Sequence, residues 1–143
     1  IELIKLTIDP MINKKFGRII NITSGAVKSP IAILGLSNGA RMGLTGFCAG
    51  IARETVRDGV TINGLLPGPF DTDRLRGNLQ VRAHAAGKTF DEMYTAAAKE
   101  NPAGRFGTAE EFGKTCAFLC SVHAGFINGQ NILMDGGAFR ASI

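Results

Sequence analysis

The sequence predicts an α/β fold, a doubly wound parallel sheet with helices on both faces, and three observations support this prediction. Short runs rich in β-branched residues alternate with longer helical patterns. Each strand-like run is bounded by glycine or proline, which is typical of buried parallel strands. The order helix, strand, helix, strand, helices, helix, strand fits parallel strands joined by helical crossovers. We find no internal repeat and no linker, so residues 1–143 are predicted to belong to one domain.

The individual elements follow from periodicity and from start and stop signals. Isoleucine and leucine recur through the first eight residues and predict a buried helix, which Pro10 and the polar residues after it bring to an end. Strands are predicted over residues 18–23, 60–66 and 130–134. Further helices are predicted over residues 35–57, 78–86, 90–99 and 108–122.

The composition excludes several classes of protein. With 45% hydrophobic and 20% charged residues, the chain is an ordinary globular sequence and not a disordered one. The formal net charge is +4 and the basic residues are scattered, so we expect no nucleic-acid partner. The N-terminal residues lack the pattern of a signal peptide, and no apolar run approaches the roughly 20 residues of a bilayer span. We therefore expect no membrane partner and a cytoplasmic location.

The cysteines predict free thiols. Three cysteines are an odd number in a chain that is not cysteine-dense, which fits a reducing cytoplasm better than a disulfide framework. Cys116 and Cys120 are four residues apart on a predicted helix and could in principle clamp a metal ion. No second ligand pair with suitable spacing accompanies them. We therefore interpret them as buried thiols on a packed helix face and predict no metal site.

The ends of the predicted strands are the candidate ligand site, because ligands of open α/β sheets bind at the carboxyl edge. The first strand is followed by Ser24 and Gly25, a hydroxyl beside a residue that permits close approach. The second ends in Pro67 and Gly68, a rigid turn that leads to the hydroxyl of Thr72. The third strand ends in an Asp-Gly-Gly turn at residues 135–137.

Five sequence fragments, in the right order and at the right separations, resemble the C-terminal half of the short-chain dehydrogenase/reductase family. They are GRIINITS at 17–24, GLTG at 43–46, NGLLPGPFDT at 63–72, PAGRFGTAEE at 102–111 and NGQNILMDGG at 128–137. The resemblance covers nearly the whole chain. Within the family, the sequence resembles the 3-oxoacyl-carrier-protein reductases. It implies a Rossmann-like fold, present here as about three strands with flanking helices. It also implies hydride transfer between NAD or NADP and a carbonyl or hydroxyl substrate.

The resemblance assigns roles to individual residues. Ser24 would be the catalytic serine, whose hydroxyl bonds the substrate oxygen and polarises it. Pro67, Gly68 and Thr72 would lie against the nicotinamide end of the cofactor, with backbone groups near Gly68 holding the carboxamide. Simpler alternatives stay open, namely a serine that caps its own turn and a tight turn without a ligand. Family members also pair through the helices that correspond to residues 1–14 and 35–57, which implies a homodimer or homotetramer.

The chain departs from the family pattern at the acid/base pair. The family has a tyrosine that transfers the proton and a lysine four residues later, whereas alignment places Leu34 and Asn38 at these positions. Neither can transfer a proton, although Asn38 can still donate a hydrogen bond to a cofactor ribose. Lys28 and His84 are candidate stand-ins, each of which is also explained as an ordinary solvated residue. Tyr94 lies too far along the chain to be assumed a substitute.

A second departure is the missing glycine-rich turn of the family's N-terminal half, which brings the cofactor pyrophosphate to a helix N-terminus. Gly46 and Gly50 lie within a helical pattern and are interpreted as small residues for close helix packing. The chain is therefore expected to be the C-terminal part of one Rossmann-type domain, with an apolar sheet edge exposed. The first hypothesis is a nicotinamide-dependent oxidoreductase as the full-length protein. The alternative is a catalytically impaired pseudoenzyme that acts as a binding or assembly subunit.

Overall fold

A computed structural model describes residues 1–141 and confirms the α/β prediction. The helices are α1 (Glu2–Asn13), α2 (Gly35–Thr55), α3 (Asp73–Ala85), α4 (Phe90–Glu100) and α5 (Ala109–Cys120). The strands are β1 (Gly17–Ile22), β2 (Val60–Pro67) and β3 (Asn131–Met134). Short 3-10 turns lie at Gly25–Val27, Ala32–Leu34, Val56–Asp58 and Val122–Ala124.

The three strands form a parallel sheet in which β2 lies between β1 and β3. Ile22 of β1 is level with Leu65 of β2, and Pro67 of β2 is level with Met134 of β3. The carboxyl ends of all three strands therefore lie at the same edge of the sheet. Ser24, Pro67 and Gly68 of the candidate site lie at this edge.

Helices cover both faces of the sheet, which explains the continuous apolar run of β2. On one face, α1 and α2 pack Ile4, Cys48 and Ala52 against Ile62 of β2. On the other face, Leu119 of α5 packs against Leu65, which points to the opposite side because side chains alternate along a strand. Four apolar β2 side chains are completely buried: Val60, Ile62, Leu65 and Leu66.

Helices α3 and α4 form a hairpin with its own small core of Leu79, Ala98 and Phe106. The hairpin is joined to the sheet by two segments that pair where Phe70 lies opposite Gly107. A side chain at Gly107 would lie within 2.6 Å of the Phe70 ring, so glycine is required for the two segments to approach. This attachment places the hairpin beyond the carboxyl edge of the sheet.

Some predicted boundaries were wrong, and capping explains the differences. Helix α3 begins at Asp73 and not at residue 78, because the Thr72 hydroxyl accepts the Leu75 N–H and starts the helix earlier. Helix α2 ends at Thr55, after which a 3-10 turn leads to Gly59 with a φ of 77°. Helix α5 ends at Cys120, where the backbone becomes extended.

The expectation of a buried first helix was also wrong. Ile4 is buried, but Leu3 and Leu6 are 78% and 73% exposed. A Cβ added at Gly46 or Gly50 would meet nothing within 4 Å, so no helix of the described chain packs closely there. Helices α1 and α2 therefore present apolar and small residues to the exterior.

The cysteines are free, and they differ in burial. Cys48 is buried, Cys116 is half-buried and Cys120 is exposed. The prediction of buried thiols was therefore wrong for Cys120. None of the helices described in residues 1–141 is long and apolar enough to cross a membrane.

Candidate functional site

A cleft of about 310 Å³ lies at the carboxyl edge of the sheet and is bounded by the ends of all three strands. Ser24 comes from the end of β1, Pro67 and Gly68 come from the end of β2, and Asp135 follows β3. The structure thus brings together three of the residues that the sequence analysis proposed. The volume is at the lower end of the range of small-molecule sites.

Ser24 lies on the wall of this cleft. Its Oγ accepts the Ala26 N–H at 3.1 Å and caps the 3-10 turn that follows β1. This bond uses a lone pair of the hydroxyl and leaves its proton available for a further acceptor. The capping role and a role as hydrogen-bond donor to a ligand are therefore compatible.

Gly68 allows the β2 turn to lie directly against the end of β3. A Cβ at this position would lie 2.5 Å from Asp135 Cβ, so a larger residue does not fit without displacement. The Gly68 N–H donates to the Met134 carbonyl at 2.9 Å. Because this N–H is already used, a carboxamide held near Gly68 must contact other backbone groups of the turn.

Asn38 and Thr72 hold the segments around the cleft. The Asn38 amide donates to the Ile31 carbonyl at 2.8 Å and fixes the loop whose residue Ile31 lines the cleft. The Thr72 hydroxyl caps α3 by accepting the Leu75 N–H at 3.2 Å. Within residues 1–141, neither Asn38 nor Thr72 is part of the cleft lining.

The candidate stand-ins for the missing acid differ in position. Leu34 lies at the start of α2 and is apolar, as the sequence indicates. The Lys28 Nζ lies 5.8 Å from the centroid of the Phe139 ring, and Phe139 lines the Ser24 cleft. His84 is exposed in the last turn of α3 and does not line the cleft. Of the two stand-ins, Lys28 is therefore the one beside the cleft.

Tyr94 is engaged in the α3–α4 hairpin. Its hydroxyl donates to Asp71 Oδ2 at 3.1 Å, and Arg76 donates to both oxygens of the same carboxylate at 2.8 and 2.7 Å. The Arg76 hydrogen bonds lower the pKa of Asp71, and burial raises the pKa of Tyr94. The tyrosine ring also packs edge-on against Phe106. Tyr94 thus links the α3–α4 hairpin to Asp71, which precedes α3. It does not line the cleft.

Phe139 is an aromatic cleft residue that the sequence analysis did not propose. After β3 the Asp135 carboxylate accepts the N–H groups of Gly137 and Phe139 at 2.9 and 2.8 Å. Gly136 and Gly137 have φ values of 68° and 85°, so the chain reverses and returns across the cleft. The Asp-Gly-Gly turn was visible in the sequence, but the return of the chain to the cleft depends on these hydrogen bonds and was not.

Groups of three or more potential metal ligands are not found among residues 1–141. Cys48 is buried against α1 and β2, and burial raises its pKa, which keeps the thiol protonated. The chemistry of the site is therefore that of a hydroxyl, backbone groups, a nearby ammonium group and an apolar wall.

Comparison with known proteins agrees with this geometry. Residues 1–138 match the family model described as enoyl-(acyl carrier protein) reductase. The chain is 34% identical over 140 residues to the 3-oxoacyl-[acyl-carrier-protein] reductase of Vibrio cholerae and 33% identical to that of Escherichia coli. Each of the two alignments covers 96% of this chain and 52% of the relative.

Solved structures show the same fold. YwfH, described as an NADPH-dependent reductase involved in bacilysin biosynthesis, superposes with a TM-score of 0.87 at 30% identity. That match covers 98% of this chain and 54% of YwfH. A 3-oxoacyl (acyl-carrier-protein) reductase of Agrobacterium tumefaciens with NADP bound gives a TM-score of 0.77 at 26% identity, over 93% of this chain and 49% of that one.

The fold, the cleft and these matches define a Rossmann-type α/β protein with a candidate ligand cleft at the carboxyl edge of a parallel sheet. The chain belongs to the short-chain dehydrogenase/reductase family and is similar to the 3-oxoacyl-carrier-protein reductases. It spans about half the length of the curated relatives it matches.

Proposed function

We propose that this chain is the C-terminal part of an NAD(P)-dependent oxidoreductase that transfers hydride between the nicotinamide and a carbonyl or hydroxyl substrate. The observation that carries the proposal is the cleft that joins Ser24 to the Pro67–Gly68 turn. The relatives named as 3-oxoacyl-carrier-protein reductases, and the neighbour solved with NADP, support both the reaction class and the cofactor.

Ser24 is proposed to act on the substrate oxygen. Its Oγ accepts the Ala26 N–H, and the hydroxyl proton, which that bond does not use, is the proposed donor to a carbonyl oxygen in the cleft. Negative charge grows on that oxygen as hydride arrives at the carbonyl carbon, and a prepositioned donor stabilises it. When bound, the nicotinamide supplies or accepts the hydride.

The cofactor contacts are proposed for four residues. Gly68 packs too closely against Asp135 to carry a side chain, and the Pro67–Gly68 turn is the part of the cleft lining proposed to contact the planar nicotinamide ring. Thr72 has a hydroxyl proton left over after its capping bond. Asn38 has one amide N–H left over after its bond to Ile31, and this N–H is the proposed donor to a ribose hydroxyl.

Lys28 is the stand-in that we propose for the missing proton donor. Leu34 and Asn38 cannot supply a proton, and Lys28 is beside the cleft wall formed by Phe139. His84 is exposed on α3 and does not line the cleft, so its position does not favour it as the proton donor. In this arrangement the Lys28 ammonium donates a proton to the alkoxide that Ser24 has stabilised.

An upstream half and a second copy of the chain are proposed to cover the exposed apolar surfaces. β1 carries isoleucines on both faces, yet its outer edge has no strand partner among residues 1–141 and Ile22 is 60% exposed. Exposed apolar residues of α1 and α2, with Leu36 at 96%, form the surface proposed for a homodimer or homotetramer. The three free thiols support a reducing, cytoplasmic location.

The proposed function is tested by following NADPH consumption with ethyl acetoacetate as a small keto-ester probe. We expect turnover by the protein expressed from its complete gene. Ser24→Ala should lower kcat by about 10²- to 10³-fold, because a donor to the developing oxyanion is lost. Ser121→Ala is the matched control, since the Ser121 hydroxyl donates to the Phe118 carbonyl at the C-terminal end of α5 and does not line the cleft. Equal rates for the unsubstituted protein and Ser24→Ala would contradict the proposal.

A further inference from the structure

The segment after β3 is fixed in place across the Ser24 cleft. Both oxygens of the Asp135 carboxylate accept backbone N–H groups, one from Gly137 and one from Phe139. The Asp135 carbonyl in turn accepts the amide of the buried Asn101 at 2.8 Å. Phe139 is therefore held by backbone bonds on a rigid turn, and its position does not depend on its own side-chain contacts.

The Phe139 ring spans from the β3 side of the cleft to the β1 side. Its backbone is anchored at Asp135, whereas the Lys28 Nζ lies over the ring at 5.8 Å from the centroid. Lys28 closes the 3-10 turn that Ser24 begins. The ring therefore lies between the turn after β3 and the turn after β1, where it lines the Ser24 cleft.

The remaining cleft lining separates a polar corner from an apolar side. Ser24 supplies the hydroxyl, while Ile31, Leu133 and Phe139 supply apolar surface next to it. A ketone whose oxygen bonds Ser24 must direct one of its substituents toward this apolar side. Aromatic rings pack favourably against a phenyl ring beyond their simple area of contact.

We propose that Phe139 is a specificity-determining residue that forms the wall for the substituent beside the substrate carbonyl and selects ketones with an aromatic substituent. This inference rests on the proposed carbonyl chemistry at Ser24. The Asp135 turn positions the ring, and the Lys28 ammonium lies over it from the β1 side.

The first measurement compares kcat/KM for acetophenone and hydroxyacetone with NADPH, using the protein expressed from its complete gene. We expect a preference for acetophenone that Phe139→Ala reduces about tenfold or more, because a hydrophobic contact of this size discriminates by such factors. Phe139→Leu should have an intermediate effect. Phe126→Ala is the matched control, since Phe126 is fully exposed at 103% and does not line the cleft. An unchanged ratio in Phe139→Ala would overturn the inference while leaving the proposed reaction intact.

The second measurement is independent of turnover. Acetophenone is titrated into the 143-residue chain, and the NMR resonances of the Phe139 ring and the backbone amides of Ser24 and Gly68 are followed. We expect all three to shift, and we expect Phe139→Ala to weaken the apparent affinity measured at Ser24 about tenfold. If both ketones fail to turn over but these shifts occur, the proposed reaction is wrong and the wall remains supported. If the shifts are absent or unchanged in Phe139→Ala, the inference is wrong.

Discussion

Strands β1 and β2 have the same kind of sequence and very different surroundings. Both are rich in isoleucine or leucine, and both are typical of buried parallel strands. β2 has a strand on each side and helices on each face, and Leu65 is completely buried. β1 has a partner on one side, and its last residue Ile22 is 60% exposed. β1 therefore has the composition of an interior strand but lies at the edge of the three-stranded sheet.

The largest expected difference between the two strands is in the free energy of unfolding that is lost when their paired apolar residues are replaced by alanine. Leu65→Ala should lower the free energy of unfolding by about 2–5 kcal/mol, because it removes a fully buried side chain and leaves a cavity. Ile22→Ala, at the paired position, should cost less than about 1 kcal/mol. Urea denaturation measures both, with Leu36→Ala on the exposed face of α2 as the control. Equal losses at Leu65 and Ile22 would contradict the assignment of β1 as an uncovered edge.

A smaller difference in the free energy of unfolding is expected between Asn63 of β2 and Asn21 of β1. The Asn63 amide donates to the Ile127 carbonyl and its oxygen accepts the Gln130 N–H, and the side chain is buried. Asn63→Ala should therefore cost about 1–3 kcal/mol, because both hydrogen bonds of this buried side chain are lost.

The matched variant is Asn21→Ala in β1. Asn21 donates to the Cys48 sulfur at 3.3 Å, a weak acceptor, so we expect a loss of less than about 1 kcal/mol. Denaturant midpoints of the two variants provide the measurement. A larger loss for Asn21 than for Asn63 would show that β1, and not β2, organises the sheet.

Self-association tests the free edge directly. Replacing Ile22 by lysine should shift the 143-residue chain toward smaller species in sedimentation velocity, because a charge at a strand edge discourages pairing. Phe126→Lys adds the same charge at another exposed apolar residue and should change association less. An identical effect of both variants would indicate a general charge effect and no special role for the β1 edge.

The smallest expected effect is the acid dependence of the ion pair beside α5. Arg105 binds Glu111 through both carboxylate oxygens, and this contact, with the Thr108 N–H, lowers the pKa of Glu111 from 4.5 to about 2. A carboxyl whose pKa is lowered by folding contributes stability above its unfolded pKa. That contribution is lost as the pH falls from about 4.5 to about 2.

Glu111→Gln removes this titration. Its free energy of unfolding should therefore change less than that of the unsubstituted chain between these two pH values. Thermal unfolding across the interval measures the difference, and it should be small because both side chains are largely solvated. Parallel curves for the two proteins would mean that the pair does not contribute.

The sequence predicted the strands well because β-branched runs bounded by glycine and proline have few alternatives. Helix starts were less predictable, and α3 shows why. Thr72 caps it by a local bond that the weak periodicity of residues 73–77 did not indicate. The exposure of Leu3 and Leu6 could not be predicted, because the same apolar pattern occurs in helices that pack on a core and in helices whose apolar face is uncovered.

The candidate site was predictable in part for a similar reason. Ser24, Pro67 and Gly68 meet because the ends of parallel strands lie at one edge, and the strands themselves were recognisable. Phe139 was not predictable, because its place depends on the two hydrogen bonds of Asp135 and on two left-handed glycines. The Tyr94 contact with Asp71 likewise depends on how the α3–α4 hairpin folds back on the segment that precedes α3.

The central claim is that the Ser24 cleft is a site of hydride transfer. The most direct test supplies NADPH that carries deuterium on the transferable position of the nicotinamide, and then examines the alcohol formed from ethyl acetoacetate by mass spectrometry. We expect deuterium at the former carbonyl carbon with the unsubstituted protein from the complete gene, and a large loss of labelled product with Ser24→Ala. Alcohol that lacks the label, or labelled alcohol formed equally well without the Ser24 hydroxyl, would contradict the claim.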